Sequence, residues 1–575
     1  MEKLPSATDP ATRDVDRLAD LFPMAVTEVA DAAGNPVRVI DFDLLRDHLD
    51  GYAVEGAPER YRLDWPGKRR AQRAVREPAS GRLRPVPEES SDFDDSSHLF
   101  IEGDNLDVLR LLRGSFLGRI KVIYIDPPYN TGNSFLYDDD FAETRAGYLT
   151  GDGQADGAAN PASGGRFHSR WLSMMYPRLA LARDLLTDDG VIFVSIDDHE
   201  VDNLRKILAE IFGEQNFVAQ IIWQKVYAPK NSARWFSEDH DYIVVFARNR
   251  ERWQPRPLAR TAAMEARYRN PDGDPRGPWK AENMTARNRY DAGVYPITTP
   301  AGRVIDGPPR GTYWRISRQR FDELNDDNRI WWGAGGDNAP AVKRFLAEVS
   351  AGRTPQTLWT YDEVGHTQDA KRTLLRYVPF ENTANVLNSV KPVELLQRIL
   401  QLAGRPEDGD IVLDFFGGSA TTAHAVLAQN QADGGNRRFI SVQIPEPLPV
   451  AESGLSSIFE IGLTRIRNVA AELPGGAGFR VLRFDPGGES DRTAEDLLFQ
   501  VLIETGLDPG LPISRSGSVV DVGAGALVAC FDERISPALL REIAGRRPVR
   551  AVFRKSAAAG RIFTELSPGT DVRVV

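Results

Sequence analysis

The run KVIYIDPPYNTGNSF, residues 121–135, ends an apolar stretch with an acid, two prolines and an aromatic ring. Residues 122–125 predict a buried strand, and Pro127 must end it because proline lacks an N–H and fixes φ. Asp126 is therefore expected at the carboxyl end of a core strand, where open α/β sheets bind ligands. Because the prolines have no backbone N–H, this turn offers carbonyl acceptors but no backbone donors, which suits a substrate amino group. Tyr129 adds an aromatic face on which a substrate ring can stack. Taken alone, the motif also fits a tight turn after a strand.

A second motif, DIVLDFFGGSATTAHAV at residues 410–426, predicts a strand, a glycine turn and a helix. Such a turn brings backbone N–H groups and a helix N-terminus to a nucleotide-like ligand, although dehydrogenases and kinases share it. The absence of a GK[ST] sequence excludes a phosphate-cradling P-loop. Asp414 ends this strand and Glu446 follows the next, so the pair could hold the amino group and ribose of S-adenosylmethionine. Glu446 alone also fits a surface acid.

Placed in one sheet, the two motifs predict methyl transfer to an exocyclic base nitrogen. That nitrogen is a poor nucleophile because its lone pair is delocalised into the ring. Asp126 and the Pro127 carbonyl would accept its two N–H bonds and draw the lone pair toward the sulfonium methyl group. Tyr129 would stack on a base that has been flipped out of the duplex.

Composition limits the alternatives. The 575 residues are 41% hydrophobic and 27% charged, as in globular proteins, and no apolar run approaches the roughly 20 residues of a membrane span. The first residues lack the apolar core of a signal peptide, so we expect a cytoplasmic protein without a membrane partner. One cysteine, Cys530, permits no intrachain disulfide, and the seven histidines lack HExxH spacing, so no metal is expected. The net charge of −11 leaves local basic surfaces possible.

From residue 99 onward, strands alternate with helices, which predicts an α/β fold with a mainly parallel sheet. Residues 248–290 interrupt this pattern with 11 Arg and Lys against 5 Asp and Glu, interleaved with aromatic residues. This favours a DNA-contacting insertion in which an arginine such as Arg276 meets phosphate or a base edge, although an ordinary surface insertion also fits. The predicted divisions are an N-terminal accessory region (1–95), a catalytic part (96–247), the insertion (248–375), a cofactor-binding part (376–474) and a C-terminal domain (475–575). The Gly-rich segment 150–165 is predicted to be a variable loop.

Several stretches in a fixed order give the chain a family resemblance. They are LFIEGDNLDVL, YIDPPYNTGN, GRFHSRWLSMMYPRLALARDLL, DDGVIFVSIDDHEVDNLRKILAEIFG, KPVELLQRIL and LDFFGGSATTAHAV. With FDLLRDHL and PERYRLDWPGKR they cover most of residues 30–450. The chain resembles the modification (Mod) subunit of type III restriction–modification systems, a β-class DNA adenine N6-methyltransferase. DPPY before the glycine motif is the circularly permuted order of that class.

The resemblance implies a Rossmann-like, S-adenosylmethionine-dependent methyltransferase sheet, circularly permuted, with an inserted target recognition domain and small N- and C-terminal domains. It points to adenine N6 rather than cytosine N4, and to catalysis by Asp126, Pro127, Pro128 and Tyr129. The cofactor residues that it implies are Asp104, Lys391, Pro392, Asp414, Phe416, Gly418, Ser419 and Thr421. Ala420 departs from the glycine usual in the family.

The resemblance also implies partners: double-stranded DNA, a second copy in a homodimer, and a restriction (Res) helicase–nuclease subunit. Two other hypotheses stay open at this point. A catalytically weak DNA-recognition subunit is disfavoured by the intact DPPY motif, because a pure reader has no need of the polarising acid. A small-molecule or RNA methyltransferase is disfavoured by the basic, aromatic insertion.

Overall fold

The computed structural model describes residues 63–131, 167–349, 352–487, 492–554 and 557–575. Before residue 63 it describes an antiparallel hairpin of Val26–Ala30 and Pro36–Ile40 and a few single residues. The segment predicted to be a variable loop, 150–165, lies outside the described residues. The chain divides into two compact units, one of residues 1–254 with 356–575 and one of residues 255–355.

The larger unit is built on a ten-stranded sheet. Its strands in chain order are β1 (Arg82–Pro85), β2 (Leu99–Glu102), β3 (Ile120–Ile125), β4 (Leu186–Ile196), β5 (Phe217–Gln224), β6 (His240–Ala247), β7 (Leu358–Trp359), β8 (Ile411–Asp414), β9 (Arg438–Gln443) and β10 (Arg480–Asp485). Across the sheet their order is β7-β5-β6-β4-β3-β8-β9-β2-β10-β1. The pairings β5–β6, β6–β4 and β10–β1 are antiparallel and the other six are parallel, which confirms the mainly parallel α/β sheet.

The order of the four central strands creates the site. β3, β8, β9 and β2 lie side by side and run in the same direction, so their carboxyl ends meet at one edge. Val122 pairs with Val412 and Ile123 with Leu413, which sets the residues after β3 beside those after β8. The two motifs therefore share one sheet edge, as the sequence predicts, although the insertion separates them along the chain.

Helices cover both faces of this sheet. Lys68–Ala74, Asn105–Phe116, Phe167–Leu185 and Val201–Phe212 pack on one face, where their apolar side chains join Ile123 and Ile125 in one core. Thr367–Tyr377, Val393–Ala403, Thr421–Asp433 and Ile458–Glu472 form the second layer, in which Val393–Ala403 contacts β3 and β4. Because successive strand residues alternate in direction, β3 has apolar contacts on both faces, as parallel sheets require. Among the described residues, no helix has the length and hydropathy to cross a bilayer.

Both ends of the chain contribute to the main sheet, which differs from the predicted divisions. β1 comes from the predicted N-terminal region and β10 from the predicted C-terminal domain, and they pair through Leu482 and Pro85. Helix Ala494–Glu504 packs on β1 and on Asn105–Phe116, and its apolar side chains join the main core. The rest of the C-terminal region has its own five-stranded sheet. That sheet contains Ile513–Ser516, Val519–Val522, Leu527–Cys530, Arg550–Phe553 and Asp571–Val574, with helices Pro537–Gly545 and Ala557–Leu566.

The smaller unit, residues 255–355, consists of short elements around an aromatic core. Its three-stranded sheet contains Ile330–Trp331, Ala341–Phe345 and Trp279–Asn283, and its main helix is Arg318–Asp326. Two-stranded pairs are Thr285–Ala286 with Tyr313–Trp314, and Ile297–Thr298 with Val304–Ile305. Tyr295, Trp314, Phe321 and Trp332 pack together in its core. These aromatic residues therefore form the core of the unit.

Candidate active site

A cavity of about 360 Å³ opens at the carboxyl edge of β3 and β8. Asp126 follows β3 and Asp414 ends β8, so the strand order places both acids in its lining. The predicted residues that line it are Asp126, Pro127, Pro128, Tyr129, Lys391, Asp414, Phe416, Gly418, Ser419 and Thr421. The lining residues that sequence reasoning missed are Tyr124, Ala384, Val386, Leu387, Asn388, Ser389, Val390, Gly417, Thr422 and Ile458.

The central polar contact is an ion pair between Lys391 and Asp126. The Lys391 Nζ atom lies 2.6 Å from Oδ2 of Asp126, and their side chains are 6% and 20% exposed. Burial raises the pKa of Asp126, while the Lys391 ammonium opposes this effect. The resemblance assigns Lys391 to the cofactor, whereas the structure pairs it with the DPPY acid. A lysine beside a proline gives no sequence signal for this contact, because the two motifs meet only in the sheet.

The rest of the DPPY segment is held from the helix side. The indole of Trp171 donates a hydrogen bond to the Pro128 carbonyl at 2.7 Å. Tyr129 packs against the core, and the Lys391 Nζ atom lies 5.1 Å from the centre of its ring. Within the described residues, Oδ1 of Asp126 and the Tyr129 hydroxyl are buried and make no hydrogen bond of normal geometry, although the Tyr129 hydroxyl is close enough to the Asp126 carboxyl group to lower its pKa. These two oxygens therefore have hydrogen-bonding capacity that a ligand in the cavity could use.

A buried acid, Glu200, secures the turn after Tyr129. Asn130, in the left-handed region at φ 60°, donates to Glu200 Oε1 at 2.6 Å. The His168 Nδ1 atom lies 2.7 Å from the same oxygen, and Asn203 donates to Oε2 at 2.8 Å. Glu200 thus fixes the chain leaving the DPPY motif. Its place directly after a predicted strand, in FVSIDDHE, is a signal that could have marked it.

The glycine turn after β8 is organised by Asp414. Its carboxylate accepts hydrogen bonds from the Phe416 backbone N–H at 3.0 Å and from the Thr422 hydroxyl at 2.5 Å. Burial raises the pKa of Asp414 to about 7, although these two hydrogen bonds act to lower it. The Gly418 N–H donates to the side chain of Gln443, the last residue of β9. Asp414 therefore shapes the turn as well as lining the cavity.

Arg465, on helix Ile458–Glu472, contacts the same turn from the protein interior. Its guanidinium is fully buried and donates to the Ser419 carbonyl and hydroxyl, both at 3.1 Å, and to the Thr421 hydroxyl at 2.8 Å. Burial lowers the pKa of Arg465 to about 10. No sequence motif marks this arginine, because it lies beyond the recognised stretches and acts through the fold.

Three predicted cofactor residues lie outside the lining of this cavity. Asp104 caps helix Asn105–Phe116, accepting from the Leu106 N–H at 2.8 Å, and pairs with Arg178. Glu446 lies three residues beyond β9, and the acceptor that meets the glycine turn at that strand end is Gln443 instead. Pro392 precedes helix Val393–Ala403 as its N-cap. Their cofactor roles stay predictions. Among the described residues, no group of three or more His, Cys, Asp or Glu is arranged to hold a metal.

Ala420 occupies a conformation that favours glycine. Its φ is 57° and it is fully buried at the start of helix Thr421–Asp433. Its methyl group lies where Gly462 packs closely, since a Cβ at Gly462 would come within 3.3 Å of the Ala420 Cβ. The absence of a side chain at Gly462 therefore makes room for the one at Ala420.

Comparison with known proteins gives a family match and several relatives. The model of a DNA methylase family (N6_N4_Mtase) matches residues 120–447. The chain is 35% identical over 449 residues to the type III restriction-modification enzyme StyLTI Mod subunit of Salmonella typhimurium, covering 75% of this chain and 66% of that protein. It is 29% identical over 461 residues to the EcoPI Mod subunit of Escherichia phage P1, covering 72% and 69%. The chain thus spans about two thirds of the length of these relatives.

One match among solved structures is more distant. The PvuII DNA methyltransferase, described as cytosine-N4-specific, aligns with a TM-score of 0.30 and 12% identity, covering 72% of this chain and 94% of that chain.

Replacing Asp414 with Asn should change how stability depends on pH. The folded-state pKa of about 7 exceeds the value of 3.8 for an unfolded Asp, so stability from this group is complete below about pH 4 and is lost as pH rises toward 7. Asp414→Asn removes that loss. The free energy of unfolding of the variant, relative to wild type, should therefore increase between pH 4 and 7 and stay level above it. Urea unfolding measures this, with the exposed Glu407→Gln as baseline. A pH-independent difference would contradict a buried, protonated Asp414.

Ala420→Gly should leave stability nearly unchanged. Relief of the left-handed backbone contributes about 1–2 kcal/mol. Loss of one buried methyl group costs about 0.8 kcal/mol, and the greater freedom of glycine in the unfolded chain costs roughly 0.5–1 kcal/mol. The free energy of unfolding should therefore change by less than about 1 kcal/mol by urea titration. A loss of several kcal/mol would show that the methyl group has a packing role beyond its contact with Gly462.

Proposed function

Because the chain belongs to the DNA methylase family, we propose that it transfers a methyl group from S-adenosylmethionine to adenine N6 in duplex DNA. In this proposal it is the modification subunit of a type III restriction–modification system. The observation that carries the proposal is the Asp126 carboxylate in the cavity lining, which has one oxygen held by Lys391 and the other without a hydrogen bond of normal geometry among the described residues. It lies in one cavity with the glycine turn of β8.

The residues of the cavity fit the cofactor. The turn offers backbone groups, Asp414 offers a buried carboxylate for a cationic group, and Gly418 at φ 50° has open space at the position of a side chain. When bound, S-adenosylmethionine supplies an electrophilic methyl group on a sulfonium. Asp414 would then be stabilised in its ionised form, because an amino group or a sulfonium nearby lowers a carboxyl pKa. Arg465 holds the turn in place from behind and does not line the cavity.

The chemistry at the base depends on positioning. Oδ1 of Asp126 and the carbonyl of Pro127 would accept the two N6–H bonds, which concentrates the lone pair on the attacking nitrogen. Trp171 donates a hydrogen bond to the neighbouring Pro128 carbonyl and so fixes the position of the DPPY segment. Tyr129, with Lys391 against its ring, would present its remaining face to the flipped base. The proton released by the nitrogen after transfer would pass to Asp126 or to water.

The relatives guide the proposal for substrate and partners. The StyLTI and EcoPI proteins are named as Mod subunits of type III restriction–modification enzymes. On that basis we extend to this chain a duplex DNA substrate, assembly with a Res subunit, and pairing with a second copy. The residues 255–355 would read the target sequence, because they form a separate unit with exposed arginines. Those arginines are Arg267, Arg269, Arg287 and Arg310.

The proposal is tested by single-molecule sequencing of DNA from a methylation-deficient host that expresses the chain. Wild type should methylate adenines on one strand of a short asymmetric motif. Asp126→Asn, which keeps the shape and removes the charge, should lower methylation by about 100-fold or more, because it removes a charged acceptor aimed at the reacting group. Methylated cytosine in place of adenine would overturn the N6 assignment, and full activity of the Asn variant would overturn the site.

Lys391→Ala should move the acidic limb of the rate profile to higher pH. The Asp126 pKa is raised by burial and held down by Lys391, so removing the ammonium raises it further. A larger fraction of the carboxyl group is then protonated at a given pH, and a protonated carboxyl group is a weaker acceptor. Single-turnover transfer measured from pH 6 to 9 should show a large deficit that narrows as pH rises, whereas Lys391→Arg should show a smaller shift. A deficit that is constant with pH would assign Lys391 to the cofactor alone.

Arg276 should prove structural. Its guanidinium pairs with Asp274 at 2.9 Å and Asp327 at 3.0 Å and packs over the Phe345 ring. Arg276→Ala should therefore lower the stability of the unit by about 2 kcal/mol, the usual contribution of a charged hydrogen bond. Arg287→Ala, on an exposed side chain, should weaken DNA binding without changing Tm. Thermal unfolding and fluorescence anisotropy separate the two, and the reverse pattern would place Arg276 on DNA.

A further inference from the structure

The loop between β5 and β6, residues 225–239, carries two adjacent aromatic side chains in water. Trp235 is 81% exposed and Phe236 is 92% exposed, more than any other large apolar side chain in the described part of the chain. Residues 227–236 are exposed without interruption. We call this segment the aromatic loop. Leaving two large rings in solvent is unfavourable, so their presence indicates a surface that becomes covered on binding.

The aromatic loop leaves the sheet at the edge where Asp126 lies. β5 runs parallel to β4 by way of the antiparallel β6, so its carboxyl end meets the carboxyl ends of β4 and β3. At the root of the loop, Lys225 pairs with the buried Asp241 at 2.6 Å. Trp223 in β5, two residues before Lys225, has its ring 5.8 Å from the Lys391 Nζ atom. The loop is thus anchored next to the DPPY site.

Contacts within the loop give it a defined shape. The Lys230 N–H donates to the Ser237 hydroxyl at 2.8 Å, and the Ala233 N–H donates to the Lys230 carbonyl at 3.0 Å. The Arg234 guanidinium lies 5.0 Å from the centre of the Trp235 ring. The aromatic tip therefore has two exposed cations beside it, Lys230 and Arg234. Cations next to exposed rings are complementary to a polyanion whose bases stack.

We propose that Trp235 and Phe236 enter the duplex beside the target adenine and occupy the space that the flipped base vacates. The inference rests on the proposed function and adds the element that stabilises the distorted DNA. Apolar side chains that insert at a base step unstack and bend the duplex, and the neighbouring cations would hold the phosphates on either side. A second copy of the chain fits less well, because the exposed cations Lys230 and Arg234 near the rings are complementary to a polyanion.

The test uses the full chain and a duplex that contains its target motif, with 2-aminopurine at the target position for flipping and adenine for transfer. Trp235→Ala/Phe236→Ala should lose the fluorescence increase and transfer methyl about tenfold or more slowly on the matched duplex, since unstacking is then uncompensated. On a duplex with an abasic site opposite the target, its rate should lie within about twofold of wild type, because that base is already unpaired. Trp235→Phe should retain most activity, and Val549→Ala, another exposed apolar position, serves as the control.

The outcomes separate the possibilities. Loss restricted to the matched duplex supports the inference. Equal loss on both duplexes, or no loss on either, overturns it. Loss together with a lower molar mass by light scattering also overturns it and assigns the loop to contact between copies. A wild-type chain that transfers no methyl group to DNA would overturn the proposed function itself, which is a different result from an active wild type with an unaffected variant.

Discussion

The site depends on the parallel pairing of β3 with β8. This pairing joins a strand before the insertion to a strand after it, and it sets Asp126 beside Asp414 at one edge. Neither motif has a complete pocket without the other. The apolar side chains of β3 are buried on both faces, so the register is specified by packing as well as by hydrogen bonds. A shift of one residue would turn the core face of the strand outward and displace Asp126 from the cavity.

Electrostatics in the cavity follow from that burial. The pKa of Asp126 is raised by desolvation and opposed by Lys391, the pKa of Asp414 is raised to about 7, and the pKa of Arg465 is lowered to about 10. In each case burial disfavours the charged form and nearby groups oppose that effect only in part: Lys391 for Asp126, two hydrogen bonds for Asp414, and neighbouring tyrosine and glutamate side chains for Arg465. A cationic cofactor in the cavity would stabilise the ionised form of Asp414, which is unfavourable in the protein interior without a positive partner.

Local patterns predicted the strand and turn elements because these depend on neighbouring residues. The apolar run of β3, the stop at Pro127 and the glycine turn after β8 are all local, and the structure has them where the sequence indicates. The sequence could not place β1 and β10 in the same sheet or bring Lys391 to Asp126, because those contacts join distant parts of the chain. Arg465 was missed for the same reason, whereas the position of Glu200 shortly after a strand could have marked it. The DNA contact suggested for an arginine such as Arg276 rested on charge alone and stays a prediction, although its observed partners are internal.

The distance along the chain between β3 and β8 also has a consequence for synthesis. β4 can pair with one edge of β3 soon after both are synthesised. The other edge of β3 stays unpaired until β8, which ends at residue 414, has left the ribosome. At 5–20 residues per second this interval is roughly 15–60 s. During that time the nascent chain presents an apolar strand with an open hydrogen-bonding edge, the feature that favours misassembly between chains. The open edge of β3 is therefore the part of the nascent chain that most needs to be shielded until the second half of its own sheet is translated.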